Sequence, residues 1–144
     1  MEVNGIAHIY LTVANYEACA AFYRRLLPFL GLTFVVRDTP ESLYCIGGRT
    51  GFGITRAAPE FAGERIRQER PGLHHVCFRA RAREDIDAVH ALVRELGAKV
   101  VRTPEEGHWA PGYYSILFED PDGARVEVNY IPGKGLLNEP KAGD

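Results

Sequence analysis

The chain has 144 residues, of which 46% are hydrophobic and 25% are charged, and its formal net charge is −2. This length and composition predict one globular domain with a core of its own. Charges of both signs are interspersed, and no apolar run approaches the roughly 18 residues of a membrane span. We therefore expect neither a nucleic acid nor a membrane as a partner.

The amino terminus and the cysteines predict the compartment. No basic segment followed by an apolar stretch opens the chain, so we expect no signal peptide. The cysteines are odd in number and lack a Cys-x-x-Cys pair, which argues against a disulfide framework or a thiolate zinc cluster. A cytoplasmic location fits this pattern best.

The first half of the chain predicts a strand, a helix and three more strands. Residues 6–13 alternate between apolar and polar side chains, which is typical of a strand with one buried face. Asn15 then caps a helix with apolar residues at helical spacing, and Pro28 and Gly31 end it. Three strands follow, at residues 32–37, 42–46 and 51–56.

The second half repeats this order after a charged segment that contains Pro59 and Gly63, which we interpret as a linker with room for one helical turn. Its predicted elements are a strand at 73–80, a helix at 84–97, and strands near 99–103, 113–119 and 124–130. We therefore expect one domain over residues 1–144, comprising a βαβββ module at 1–56, a linker at 57–71, a second module at 72–131 and a mobile tail at 132–144.

The two halves also open alike. Gly5-Ile6-Ala7-His8 aligns with Gly72-Leu73-His74-His75, so His8 and His75 occupy equivalent places in a repeat of roughly sixty to seventy residues. Strand alternation puts both histidines on the polar face of their strands. Glu127 shares that face in the last strand, because Val126 and Val128 must face the core. Two related modules that each present a histidine inward can build one shared metal site.

These residues resemble a known family. His8, the Phe22-Tyr23-Arg24 sequence, and residues 72–76 and 119–127 together resemble the vicinal-oxygen-chelate superfamily. That superfamily includes glyoxalase I, bleomycin-resistance proteins, extradiol dioxygenases and fosfomycin-modifying enzymes. The resemblance covers about residues 5–131. It implies an α+β fold of two βαβββ modules that form a curved mixed sheet or cup, with helices on the outer face.

The resemblance implies four metal-ligand positions, and this chain carries side chains at three of them: His8, His75 and Glu127. The fourth maps onto Gly53, where glyoxalase I and methylmalonyl-CoA epimerases carry a carboxylate or amide. Two imidazoles and one carboxylate suit one divalent ion, with Fe(II) or Mn(II) favoured and Zn, Ni or Co still open. Extradiol dioxygenases and fosfomycin-modifying enzymes tend to carry a tyrosine ten positions before the glutamate, where this chain has Leu117.

Further side chains are candidates for chemistry around such an ion. His108, on the loop before a bordering strand, and Tyr10 are candidate acid–base groups, although a solvated loop histidine explains His108 equally well. The candidate substrate contacts are Arg79, Arg56, Trp109 and Asn129. A surface ion pair is the favoured alternative for the two arginines.

The pattern favours a metal-dependent enzyme that acts on a small oxygen-chelating substrate, dioxygenase-like or lyase-like, and not a glyoxalase I. The alternative is a metal-free protein of the bleomycin-resistance type that binds a small molecule, and a non-catalytic scaffold domain is a weaker third. The resemblance implies a homodimer. It leaves open whether the two modules pair within one chain or exchange across the dimer.

Overall fold

The computed structural model describes residue 3 and residues 5–133 of the chain. The elements are β1 (His8–Val13), α1 (Tyr16–Phe29), β2 (Phe34–Asp38), β3 (Ser42–Gly47), β4 (Thr50–Arg56), β5 (Val76–Arg79), α2 (Glu84–Glu95), β6 (Lys99–Glu106), β7 (Tyr114–Glu119) and β8 (Arg125–Tyr130). A short 3-10 turn at Pro59–Phe61 lies in the predicted linker. Residues 134–144 of the predicted tail lie outside the described residues.

The strands form two four-stranded mixed sheets, with the orders β1-β4-β3-β2 and β5-β8-β7-β6. In each sheet the first strand of the module pairs in parallel with the fourth, and the other pairs are antiparallel. The two halves therefore share one topology. The predicted α+β fold of two βαβββ modules is confirmed.

The chain divides into two compact units. The first unit comprises the residues up to Arg67 together with the turn Asp120–Ala124, and the second comprises Gln68–Glu119 and the residues from Arg125 onward. Each unit has one helix on one face of its sheet, and we call the opposite face of that sheet its helix-free face. Within the described part of the chain, no helix has the length and apolarity needed to cross a bilayer.

The first unit packs α1 on its sheet. Asn15 caps the helix as predicted, because its side-chain oxygen accepts a hydrogen bond from the Ala18 amide at 3.4 Å. Pro28 lies inside the last turn, and the helix ends at Phe29. The buried core of the first unit comes from α1 and from alternate strand positions, including Leu11, Val13, Tyr23, Leu26, Leu27, Leu43, Cys45, Phe52 and Ile54.

The second unit packs α2 on its sheet in the same way. Ile86, Val89 and Val93 form the buried stripe of the helix. Val126 and Val128 of β8 are almost fully buried, with exposed fractions of 0% and 1%. Because side chains alternate along a strand, Glu127 points to the helix-free face, as the sequence predicts.

A buried carboxylate organises the predicted Pro121-Asp122-Gly123 turn. One Asp120 oxygen accepts hydrogen bonds from the amides of Asp122 and Ala124 at 2.9 and 2.8 Å, and the other accepts one from the Tyr23 hydroxyl at 2.9 Å. Burial nonetheless raises the pKa of Asp120 to about 6, above its ordinary value of 3.8. The fold therefore favours the protonated form of this group between those two values.

We predict that Asp120 makes the stability of the protein fall as the pH rises. A carboxyl with a raised pKa in the folded state stabilises the fold fully below its unfolded pKa, and that contribution is lost as the pH rises through about 6. A shift of about two units corresponds to about 3 kcal/mol. Urea unfolding at pH 4, 5.5 and 7 should show this loss in the wild type, whereas Asp120→Asn, which cannot titrate, should lack it. Parallel pH profiles for the two proteins would contradict the assignment.

Candidate metal and substrate site

Glu127 is the buried acid on the helix-free face of the second sheet. It is in register with Leu117 of β7, which is itself in register with Arg102 of β6. Only 7% of Glu127 is exposed. Its Oε1 accepts a hydrogen bond from the Tyr113 hydroxyl at 2.6 Å and lies 3.5 Å from Nη2 of Arg102. These two donors hold the carboxylate in one orientation and offset part of the cost of its burial.

His75 faces the other oxygen of this carboxylate. It lies immediately before β5, and its Nε2 is 3.4 Å from Oε2 of Glu127. Its Nδ1 is 2.6 Å from Nδ1 of His74, which in turn contacts the Gln68 amide at 2.9 Å. One of the two Nδ1 atoms must carry a hydrogen that the other accepts. When His75 is the donor, its Nε2 has a free lone pair toward Glu127.

The geometry of His75 and Glu127 fits two ligands of one divalent ion. Two donor atoms that each lie about 2.1–2.2 Å from one ion are roughly 3.0–3.6 Å apart for angles of about 90–110° at the ion, and the observed separation of 3.4 Å lies in this range. The third predicted ligand, His8, belongs to the first unit. Over the described residues, no group of three or more His, Cys, Asp or Glu side chains is arranged to hold a metal ion.

His8 opens β1 and is exposed on the helix-free face of the first sheet. Its ring lies edge-on to the rings of Tyr10 and Tyr44, with centroids 6.0 and 6.3 Å away. Tyr10 and Tyr44 stack on each other at 5.1 Å. The candidate acid–base residue Tyr10 is thus part of an aromatic cluster beside the predicted ligand His8.

The strand register makes Gly53 the counterpart of Glu127. Gly53 pairs with Tyr10, two residues after His8, just as Glu127 pairs with Cys77, two residues after His75. A Cβ atom added to Gly53 would lie 2.5 Å from Cε1 of Tyr10. The ring of Tyr10 therefore occupies the space into which a fourth ligand side chain would project.

A polar and aromatic group surrounds Glu127 in the second unit. The Asn129 amide donates to the Tyr113 hydroxyl at 3.0 Å, while Oδ1 of Asn129 is buried and has no hydrogen-bond partner among the described residues. Burial, together with the hydrogen bond to Glu127, raises the pKa of Tyr113. Trp109 is 57% exposed, and its ring contacts both the Tyr113 ring and the Arg102 guanidinium, at 5.0 and 5.2 Å. Two predicted substrate contacts, Trp109 and Asn129, are thus linked to Glu127 through Tyr113.

The structure contradicts Arg56 as a substrate contact on the helix-free face and shows the favoured alternative, a surface ion pair. Arg56 pairs with Val13, so it points to the helix side of the first sheet. There its guanidinium contacts Glu17 at 2.6 Å and lies over the ring of Tyr16 at 4.8 Å. Strand alternation within β4 gives this orientation, because Arg56 shares the parity of the buried residues Phe52 and Ile54.

The remaining two candidate residues are Arg79 and His108. Arg79 ends β5 on the predicted face, and its guanidinium donates to the carbonyls of Ile131 and Gly133 at 3.1 and 2.7 Å. These two hydrogen bonds hold the segment that follows β8 at the end of β5. His108 is exposed on the loop between β6 and β7, as the sequence predicts.

Three contacts of the predicted ligands were not predicted from the sequence: Arg102 and the phenol of Tyr113 on Glu127, and His74 on His75. The turn between β7 and β8 is recognisable in the sequence, and counting residues outward from it pairs Leu117 with Glu127. Arg102 could not be placed in that way, because the β6–β7 pairing shifts register on both sides of it. Tyr113 lies in the loop before β7, so strand alternation does not orient it.

Known proteins share this architecture. A metallothiol transferase, FosB, from Shouchella clausii is 28% identical over 127 residues, which cover 88% of this chain and 80% of the relative. A solved structure from Bacillus halodurans, provisionally named a glyoxalase, has a TM-score of 0.76 at 24% identity and covers 89% of this chain and 96% of its own. The lactoylglutathione lyase from Agrobacterium tumefaciens has a TM-score of 0.66 at 22% identity, covering 90% and 96%. At these identities the two structures establish the fold and not the reaction.

The sequence pattern of one family spans both units. It matches residues 5–128, which include both βαβββ modules up to the middle of β8 and all three predicted ligands. The chain therefore belongs to the Glyoxalase/Bleomycin resistance protein/Dioxygenase superfamily.

Proposed function

We propose that this protein is a metal-dependent enzyme that acts on a small oxygen-chelating substrate, with one divalent ion held by His8, His75 and Glu127. The observation that carries the proposal is the 3.4 Å separation of His75 Nε2 and Glu127 Oε2 on the helix-free face of the second sheet. Fe(II) or Mn(II) is favoured, because a carboxylate with two imidazoles suits these ions. A bound ion would act as a Lewis acid on the chelated oxygens of the substrate.

The contacts of the two ligands in the second unit support this proposal. Tyr113 and Arg102 hold one oxygen of Glu127 and leave the other directed toward His75. His74 accepts or donates at Nδ1 of His75 and so fixes the plane of the ring. Partners of this kind orient metal ligands in many proteins, and their loss typically lowers metal affinity 10- to 100-fold.

The reaction we favour is dioxygenase-like or lyase-like. Glyoxalase-type proton transfer needs a carboxylate at the fourth ligand position, and here Gly53 leaves that place to the Tyr10 ring. Proton transfer would fall to Tyr10 or to the loop residue His108. Because one relative is a metallothiol transferase, transfer of a thiol to the chelating substrate is a separate reaction type to test.

A metal-free binding protein is the second candidate function. It is favoured by one observation: Glu127 already has Tyr113, Arg102 and His75 as partners within the chain. A carboxylate with these partners can stay buried without an ion. Metal titration separates the two functions.

The first prediction from this proposed function concerns metal binding. Titration of Mn(II) into metal-free protein should raise the thermal unfolding temperature of the wild type, since a ligand at a hundredfold excess over its Kd stabilises the fold by about 2.7 kcal/mol. Glu127→Gln keeps the shape of the side chain but removes its charge, so most of the shift should disappear. Glu106→Gln, which changes an exposed glutamate at the end of β6, should keep the full shift. Equal shifts in Glu127→Gln and the wild type would exclude Glu127 as a ligand, and no shift in any protein would favour the metal-free function.

The second prediction concerns the reaction. Metal-loaded protein should not turn over the methylglyoxal–glutathione hemithioacetal at an appreciable rate, because no carboxylate stands at position 53. One assay tests the dioxygenase-like reaction: oxygen uptake with substituted catechols. Two further assays test thiol transfer: consumption of glutathione with fosfomycin, and consumption of cysteine with fosfomycin. Activity in any of them should be lost in His8→Ala. Efficient turnover of the hemithioacetal would contradict our interpretation of Gly53.

The third prediction concerns the source of the ligands. We infer a homodimer, in which His8 meets His75 and Glu127 either of its own chain or of the second chain. When His8→Ala and Glu127→Ala chains are co-expressed and mix freely, exchange across the dimer would give each mixed dimer one intact site, or about one quarter of all sites. Metal analysis of the co-purified protein should then recover about that fraction, and pairing within one chain should recover none. A monomer by light scattering would overturn the dimer.

A further inference from the structure

Two tyrosine rings cover bare backbone on the helix-free face of the first sheet. Tyr10 of β1 and Tyr44 of β3 are both in register with Gly53 of β4, which lies between them. Their rings are 5.1 Å apart and inclined by 29°, which is a stacked arrangement. We call this pair the tyrosine platform.

The tyrosine platform accounts for the two glycines of β4, Gly51 and Gly53. A Cβ at Gly53 would meet the Tyr10 ring, and a Cβ at Gly51 would collide with the Tyr44 hydroxyl. Glycine inside a strand costs roughly 0.5–1 kcal/mol relative to alanine, and it often marks a place where another group approaches closely. Here the approaching groups are the two rings, which reach over Gly51 and Gly53 because both Cβ atoms are missing.

The second unit has the opposite distribution of volume. Where Gly53 lies between Tyr10 and Tyr44, Glu127 lies between Cys77 and Leu117. The second unit thus has a carboxylate between two smaller side chains, whereas the first unit has a glycine between two tyrosines. The first unit presents an aromatic surface where its repeat partner presents a carboxylate.

The platform is open to a ligand and adjoins a predicted metal ligand. Tyr10 is 40% exposed although its ring is stacked on Tyr44. His8 is exposed and lies edge-on to both rings. A molecule chelated at His8 could therefore extend its other end over the platform.

The charges around the platform indicate which kind of chemical group would bind over the two rings. On β1, β3 and β4, the described side chains of this face are His8, Tyr10, Thr12, Ser42, Tyr44, Ile46 and Thr55, and none is a carboxylate. Arg37 of β2 is in register with Tyr44. A cationic ligand would find no negative partner among these residues and would be repelled by Arg37, whereas a flat neutral ring with acidic oxygens would stack favourably.

We propose that the tyrosine platform binds the aromatic ring of the substrate, so that the substrate is a planar aromatic compound with chelating oxygens. This inference rests on the proposed function, because the chelating end would be bound by the ion on His8. It makes Tyr10 and Tyr44 residues that determine specificity for the ring. The aromatic preference is separable from metal affinity, because neither tyrosine is needed as a ligand.

Three hydroxamates test the proposal in Mn(II)-loaded protein by calorimetric titration. All three chelate through the same two oxygens: benzohydroxamate carries a flat ring, cyclohexanecarbohydroxamate a saturated ring of similar size, and acetohydroxamate none. The wild type should bind benzohydroxamate about 2- to 12-fold more tightly than the cyclohexyl compound, which is the range expected for one aromatic contact. Equal affinity for the two ring compounds would overturn the platform.

Matched variants locate the preference. Tyr44→Phe keeps the ring and should keep the ratio of the two affinities, whereas Tyr44→Leu should reduce the ratio to about one. Acetohydroxamate should bind all three proteins alike, because it reports only the metal end. Should Tyr44→Leu fail to fold, Gly53→Ala displaces the Tyr10 ring and should reduce the ratio in the same way. A ratio that survives both Tyr44→Leu and Gly53→Ala would overturn the assignment.

A metal-free measurement separates failure of the platform from failure of the metal site. If loaded wild type binds no hydroxamate, acetohydroxamate included, the proposed function fails. Millimolar benzohydroxamate added to metal-free protein should still shift the ring proton signals of Tyr10 and Tyr44 by NMR, and the cyclohexyl compound should not. Unchanged tyrosine signals with benzohydroxamate would overturn the platform independently of any metal.

Discussion

The burial of the Glu127 carboxylate is the constraint on which the second unit depends. Val126 and Val128 form part of the core beneath α2, so strand alternation forces Glu127 to the helix-free face. At 7% exposure, a carboxylate loses several kcal/mol of hydration unless charged and hydrogen-bonding groups replace the water. Tyr113 and Arg102 replace part of that water on one oxygen. The other oxygen faces an imidazole, and this asymmetry makes the group suited to bind an ion.

The repeat provides two copies of one scaffold with different chemistry on their helix-free faces. Both sheets pair their first and fourth strands in parallel, so equivalent residues occupy equivalent places in the two registers. Where the second unit has Glu127, Asn129 and Arg102, the first unit has Gly53, Thr55 and Arg37. The rings of Tyr10 and Tyr44 take the places that Cys77 and Leu117 have in the second unit.

The sequence predicts the order of the elements well because the hydrophobic period is clear in the two helices and in most of the strands. The exception is β2, which is exposed along its whole length. The βαβββ order, the Asn15 cap and the turn at residues 121–123 all follow from local patterns that tertiary contacts do not override. The site is predicted less completely, because its contacts depend on pairing between strands. Arg102 reaches Glu127 through a hairpin whose register shifts on both sides of Arg102, and local alternation does not fix such a register. Local alternation orients a side chain within its strand but does not supply its neighbours.

The predicted fourth ligand position carries no side chain, and this depends on Tyr10 as well as on Gly53. Restoring a carboxylate at position 53 would place its Cβ against the Tyr10 ring, so the side chain could project only after the ring moved. Moving that ring would separate it from Tyr44 and remove its contact with His8. A carboxylate at position 53 therefore requires the Tyr10 ring to take another rotamer or Tyr10 to be replaced. The stacked tyrosine pair and a carboxylate at position 53 would compete for the same space. While the two rings stay stacked over β4, position 53 has no room for a side chain that could bind an ion or move a proton.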